Sequence, residues 1–410
     1  GRETNRSQNL TLKYTSRGFT WLNLTTQFSA NYRESFETGG QASTYGNERR
    51  GLKVNSSKST NAQASFNLPV LIRKLKGKKK TEGFSIRQLV GRMGSSLQPL
   101  SIRGSQTNSF NLFGLKKRPP LMFQFGFTDT AIVDRFGSGG VTRVDTRVLA
   151  DKASFTSGIR LPGGLNVQTT GNYGRSRNFG NANAVQETIT LPQVSATWRG
   201  IEKLPLLRAV LASSSVQFNL VKIHTQSGEG GLDTLSITND SRATSYNPLY
   251  AWQTRWKNQM SMNIRGNRSE GTALRYQRNV GGDTESLPGL RDRLIGTTVT
   301  TDSGLQGNLS YHWKPPFFKT LKSNINLDLN YTQSSNQQKE IPRTTTLDEP
   351  AEPVIRRDDS TWSASLQAQY QFSSSFTGGS KFRHENRRDQ LRDLTNKVWE
   401  FRLWGEIRFN

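Results

Sequence analysis

The chain has no cysteine, which excludes thiol chemistry and cysteine metal sites. It has no run near the ~18–20 consecutive apolar residues of a spanning helix, which excludes a helical membrane protein. Hydrophobic residues make up only 32% of the 410, too few to suit the two or three soluble domains that such a length would otherwise suggest. Acidic residues are also scarce, 31 against 56 Lys and Arg, for a formal charge of +25. That balance points to phosphate-bearing partners: nucleic acid, anionic headgroups or lipopolysaccharide. The opening Gly1-Arg2-Glu3 reads as a processed protein or as part of a longer one.

What is present is alternation. A chain this polar is either disordered or hydrated on one face of every strand, and 10% aromatics with regular spacing favour the second. Leu22, Leu24, Thr26, Phe28, Ala30 and Tyr32 form one alternating set. Leu121, Phe123, Phe125 and Phe127 form another, and Trp252, Thr254, Trp256, Met260, Met262 and Ile264 read as the longest run. Leu305, Leu309, Tyr311 and Trp313 precede Ile325, Leu327, Leu329 and Tyr331. Trp362, Ala364, Leu366, Ala368, Tyr370 and Phe372 then meet Phe376 and Phe382 across a serine turn. The pattern predicts about 14–16 strands, many near ten residues, and no helix among them. The fold class expected is all-β: an antiparallel transmembrane outer-membrane β-barrel, with residues 1–410 as one segment of a larger barrel.

The last thirteen residues show the pattern best. Trp399, Phe401, Leu403, Gly405, Ile407 and Phe409 share one face; Glu400, Arg402, Trp404, Glu406 and Arg408 share the other. Thirteen residues rise roughly 40 Å, and a tilted strand crosses a bilayer in about 9–11. The segment reads as the closing strand, with Trp256, Leu366, Phe401, Leu403 and Ile407 facing lipid. Trp313, Trp362, Trp399 and Phe409 would sit at the interfaces. An edge strand of a soluble sandwich has the same alternation. Counting back from a periplasmic C-terminus makes 373–375 a periplasmic turn, and 385–396, 334–359, 280–296 and 226–247 extracellular loops.

One motif repeats. Pro69-Val70-Leu71-Ile72-Arg73-Lys74, Pro205-Leu206-Leu207-Arg208 and Pro316-Phe317-Phe318-Lys319-Thr320-Leu321-Lys322 each follow a strand. The second and third fall on the periplasmic side. There Leu206, Leu207, Phe317 and Phe318 would enter the acyl boundary, and Arg208, Lys319 and Lys322 would meet phosphates.

Catalytic patterns are missing. His224, His312 and His384 lie on separate strands without metal spacing, the first two expected at strand ends. Gly137-Ser138-Gly139-Gly140 lacks the Lys of a phosphate loop, and Gly228-Glu229-Gly230-Gly231 reads as a loop tip. Asp358-Asp359 falls in a predicted loop beside Arg356 and Arg357, poor ground for acid–base chemistry. No enzyme activity, metal or cofactor is expected. On the inward faces, Asn324, Asn326, Asp328 and Asn330, and Ser363, Ser365, Gln367, Gln369 and Gln371, suit a wide hydrated interior or contacts with a plug.

Thr197-Trp198-Arg199-Gly200-Ile201-Glu202-Lys203-Leu204-Pro205-Leu206-Leu207 leads into a strand ending Lys222-Ile223-His224-Thr225. Together with Pro119–Phe127 and Phe318–Asn324, this resembles the C-terminal part of the SprA/Sov family, the outer-membrane translocon of type IX secretion. The resemblance implies a gated pore for folded cargo proteins, with plug and lateral-gate accessory partners and, in gliding bacteria, adhesin secretion. Outer-membrane lipid and lipopolysaccharide are the other partners expected. A stand-alone porin or solute transporter is the alternative. Nucleic-acid binding is not expected, because Lys/Arg and aromatics lie on opposite faces of the clearest strands.

Overall fold

The computed structural model describes residues 5–16, 18–36, 51–75, 96–131, 145–161, 163–180, 183–230, 235–277, 293–314, 324–342, 352–373 and 375–408. Its strands are β1 (Asn5–Thr15), β2 (Leu22–Phe36), β3 (Leu52–Phe66), β4 (Leu100–Leu115) and β5 (Thr146–Arg160). There follow β6 (Leu165–Phe179), β7 (Ala184–Arg199), β8 (Leu211–Gly230), β9 (Leu235–Trp256) and β10 (Ser261–Gln277). The last five are β11 (Arg293–Trp313), β12 (Ile325–Pro342), β13 (Val354–Gln371), β14 (Phe376–Asp389) and β15 (Leu394–Ile407). All fifteen lie in one sheet in chain order, and every pairing between neighbours is antiparallel. The strand total lies inside the expected range. The strands run from 11 to 22 residues, longer than the alternation suggests.

Tight turns gather at one end of the sheet. Gly163 and Gly164 take positive φ between β5 and β6, and a Cβ on Gly164 would overlap the carbonyl oxygen of Arg199. Between β9 and β10, the amide of Trp256 donates to the carbonyl of Met260 at 2.8 Å, with Gln259 at φ 66°. The run 252–264 is therefore a hairpin rather than one strand. Its two arms show the same face because Trp252 pairs with Ile264 and Thr254 with Met262.

Several expectations are corrected. Residues 121–127 do not form a strand. Leu121–Gln124 is a single helical turn, α2, following α1 (Leu68–Leu75) in the chain. Pro119 and Pro120 cannot donate to a ladder, and the Gln124 side-chain amide instead donates to the Pro119 carbonyl at 2.6 Å. Residues 226–230 and 235–247 continue β8 and β9, so Gly228–Gly230 is strand rather than loop tip. Residues 334–342 and 354–359 likewise belong to β12 and β13, and 385–389 and 394–396 to β14 and β15. Asp358 and Asp359 thus sit on a strand, where Arg357 donates to Asp359 at 2.6 Å. His224 lies well inside β8, 2.7 Å from Asp240, rather than at a strand end. Polarity misled in the strand extensions: ladder hydrogen bonds involve the backbone, so a strand in water on both faces has no need of an apolar one.

Among the described residues, β15 pairs with β14 alone and β1 with β2 alone. The last strand is an edge here, and the sheet is open rather than closed by it.

Candidate transmembrane wall

The register tests the two-face idea directly. One row of cross-strand partners runs Leu165, Trp198, Val216, Trp252, Ile264, Gly307, Tyr331, Ala364, His384, Trp399 across ten strands. A parallel row on the same face reads Met262, Leu309, Leu329, Leu366, Phe382, Phe401. Between them, on the opposite face, lies Arg199, Ser215, Gln253, Asn263, Asn308, Asn330, Ser365, Arg383, Glu400. Nine consecutive strands contribute nine polar side chains. Among the described residues, no core covers either side of this half of the sheet: the apolar face is left exposed at Leu329, Leu366, Phe382, Phe401 and Leu403. Such an area of exposed apolar side chains, backed by a polar face, matches lipid on one side and water on the other. The chain is an outer-membrane β-barrel wall.

The height agrees. On β13 the apolar face extends from Trp362 to Phe372 just beyond the strand end, ten residues and ~34 Å along the chain. A tilt of ~40–45° turns that into the ~25 Å of a barrel's apolar band. Rings mark both limits. Across β13, β14 and β15 the His384 ring meets Trp362 edge-on, with centroids 4.9 Å apart, and stacks on Trp399 at 3.7 Å. Near the turn end, Tyr370 meets Phe372 edge-on at 4.9 Å and Phe372 stacks on Phe376 at 5.2 Å. Trp313 ends β11 opposite Ile325, and Trp256 ends β9 opposite Leu211. Trp256 is thus on the apolar face, level with the turn-end aromatics rather than at mid-strand. Phe409 lies outside the described residues.

With the short turns periplasmic, the first two proline motifs fall at that end. The first is α1, whose Val70 amide donates to Asn67 Oδ1. In the second, Leu206 is 90% exposed at the tip of successive turns, with Leu207 and Arg208 beside it. The third, with Phe317, Phe318, Lys319 and Lys322, lies outside the described residues.

A groove of about 540 Å³ opens on the polar face, lined by Arg199, Ser215, Gln253, Arg255, Asn263 and Asn308 among others. Glu202, in a 3-10 turn at Ile201–Lys203, accepts from the Ser214 amide at 3.0 Å and pins that turn against β8. On the apolar face, Trp252 Nε1 donates to Ser214 Oγ at 2.9 Å, hiding both polar atoms from lipid. Trp252→Phe should therefore lose about 1 kcal/mol in urea unfolding from vesicles, as one buried hydrogen bond does. Sequence reasoning placed these residues in strands without seeing the groove, which depends on cross-strand register. Among the described residues no group of His, Asp or Glu is arranged to hold a metal ion.

No family model matches the sequence, and no curated protein does. Solved structures do. The open form of the ferric-catecholate import receptor Fiu from E. coli K12 is 8% identical, aligning 99% of this chain and 74% of that one at a TM-score of 0.40. The alcaligin outer-membrane receptor FauA from Bordetella pertussis is 9% identical over 100% and 66%, at 0.30. The β-domain of the Bordetella autotransporter BrkA is 10% identical over 65% and 92%, at 0.23.

Proposed function

We propose that the chain is a stretch of wall in a wide outer-membrane pore that passes folded cargo proteins, of the type IX translocon kind. The observation carrying this reading is the polar row on nine successive strands. A narrow barrel fills its interior with interlocking side chains, whereas Ser, Asn and Gln at these positions leave room for water. The open edges support the same reading. Unpaired backbone groups are not stable in lipid, so β1 and β15 need partners there. Both strands run in the same direction, and pairing them to each other would be parallel. An odd number of further strands between them keeps every pairing antiparallel, giving a barrel of at least sixteen strands, the size at which barrels enclose an aqueous channel. Plug and lateral-gate proteins would act on that larger pore.

The test uses the full-length polypeptide in its own outer membrane, with photo-crosslinking residues at Asn308, Ser365 and Leu329. Protein adducts with secreted cargo are expected from Asn308 and Ser365 and not from Leu329. Passage of small solutes, with no protein adduct at either polar position, would replace this reading with a solute pore.

A further inference from the structure

The segment after β4 does not leave the sheet. It folds back across the same face that carries Leu366, as the register shows. Leu24, Ala64, Ile102 and Phe155 form a row of that face, and Phe28, Ala30 and Tyr32 continue it along β2. Phe123 inserts between Tyr32 and Phe110, and both Tyr32 and Phe123 are 1% exposed. Phe127 stacks on Phe28 with centroids 5.8 Å apart. Gly126, at φ +73°, approaches so closely that a Cβ would lie 3.1–3.3 Å from Ala30, Lys58 and Phe28. Arg118 Nε donates to buried Glu34 at 3.0 Å, and Tyr32 Oη donates to the same oxygen at 2.7 Å. Asp129 joins Lys58 and Arg147. Residues 116–131 are thus a strap built onto the outer face, away from the periplasmic turns.

Its free side is apolar: Leu121, Met122 and Phe127 are 60%, 58% and 54% exposed. The strap covers Ala30 and Tyr32, so the apolar face that β2 leaves uncovered runs only from Leu22 to Phe28, six residues or ~20 Å along the strand, against ~34 Å on β13. Leu121, Met122 and Phe127 stand where that shorter band ends, and they restore its height. Irregular backbone is tolerated at the interface but not in the hydrocarbon core, which places the strap at headgroup level. Charge there is lopsided: Arg6, Lys58, Lys116, Lys117, Arg118 and Arg147 against Glu34, Asp129 and Asp145. Lys116 and Lys117 are exposed at the strap's start.

We propose that this strap is a docking surface for the phosphorylated glycolipid of the outer leaflet, lipopolysaccharide. Leu121, Met122 and Phe127 enter its acyl region, and Lys117 meets its phosphates. The proposal rests on the outer-membrane reading of the wall. The full-length polypeptide, with the introduced thiol as its single cysteine, is labelled with an environment-sensitive dye at Met122→Cys or, separately, at Leu366→Cys, and these 410 residues add no cysteine of their own. Each is placed in bilayers of neutral phospholipid, of phospholipid with phosphatidylglycerol, and of phospholipid with lipopolysaccharide.

A blue shift at both sites is expected, with the Met122 signal responding further to lipopolysaccharide and not to phosphatidylglycerol. Lys117→Ala should raise the half-saturating lipopolysaccharide fraction about fivefold, the effect of one cation near an anionic surface. Equal responses to the two anionic lipids would overturn the glycolipid assignment. A dry Leu366 label with a wet Met122 label would overturn the strap proposal alone. Wet labels at both sites would overturn the wall itself.

Discussion

Leu366→Arg should destabilise the sheet by about 2–4 kcal/mol, and Gln367→Arg, one residue along, should barely matter. Leu366 lies between Leu329 and Phe382 on the apolar face, four residues from Trp362 and six from Phe372, hence near the middle of the band. An arginine there has no water within reach and no carboxylate opposite it. Gln367 faces the other way, between Asp328 and Lys381, so a guanidinium finds one attractive and one repulsive neighbour in water. Surface changes of that kind stay within about 0.5 kcal/mol. Urea unfolding of both variants from lipid vesicles decides the matter. A loss of 2–4 kcal/mol lowers the folded-to-unfolded ratio roughly 30- to 1000-fold, while the neighbour should overlay the wild type. The reverse ranking would mean that the two faces have been exchanged.

That one-residue contrast is also what made the wall readable. Alternation in β12, β13 and β15 is strict, and the register joins Leu329, Leu366, Phe382 and Phe401 as one row without a slip. Where the register does slip, the sequence pattern fails. A one-residue bulge between Thr190 and Gln193 on β7 resets the phase, so Ile189 and Val185 share a face with Val194, Ala196 and Trp198 although no single period joins them. The extramembrane halves were unreadable for a different reason. Asp302, Asn336 and Ser269 on β10–β12 are held by backbone ladders and by side-chain bonds to each other, such as Ser269 to Asp302 at 3.2 Å. Composition of that kind looks like loop, because only lipid imposes an apolar phase on a strand.

The strap was hidden by the opposite error. Leu121, Phe123, Phe125 and Phe127 alternate as a strand would, yet the double proline before them breaks the ladder and starts a helical turn. Their period is a coincidence of packing: Phe123 goes into the sheet, Leu121 points away from it, and Phe127 lies flat on Phe28 with its other side exposed. The groove along Arg199, Gln253 and Asn308 was beyond sequence reasoning altogether, since it joins residues more than fifty apart through four strand pairings.

Removing residues 399–410 should leave no detectable protein in the outer membrane. β15 supplies Trp399, Phe401, Leu403 and Ile407 to the apolar face, and β14 is poorly suited to stand in its place. The corresponding face of β14 reads Phe376, Gly378, Ser380, Phe382, His384, Asn386, with only two large apolar side chains. Its other face carries Lys381, Arg383 and Arg387, and at Gly379 the surface is completed by the Trp404 indole, which comes within 2.9 Å of where a Cβ would be. Truncation therefore exposes a glycine-rich edge with its ladder groups unpaired in lipid, where each such group costs several kcal/mol. To separate this cost from loss of a terminal targeting signal, Phe401→Asp with Leu403→Asp keeps the chain's length and its last residues while charging the same face. The double variant should also be absent from the membrane fraction on blotting. Normal membrane levels of the double variant beside loss of the truncated one would show that the terminus acts as an address, and that lipid does not contact β15.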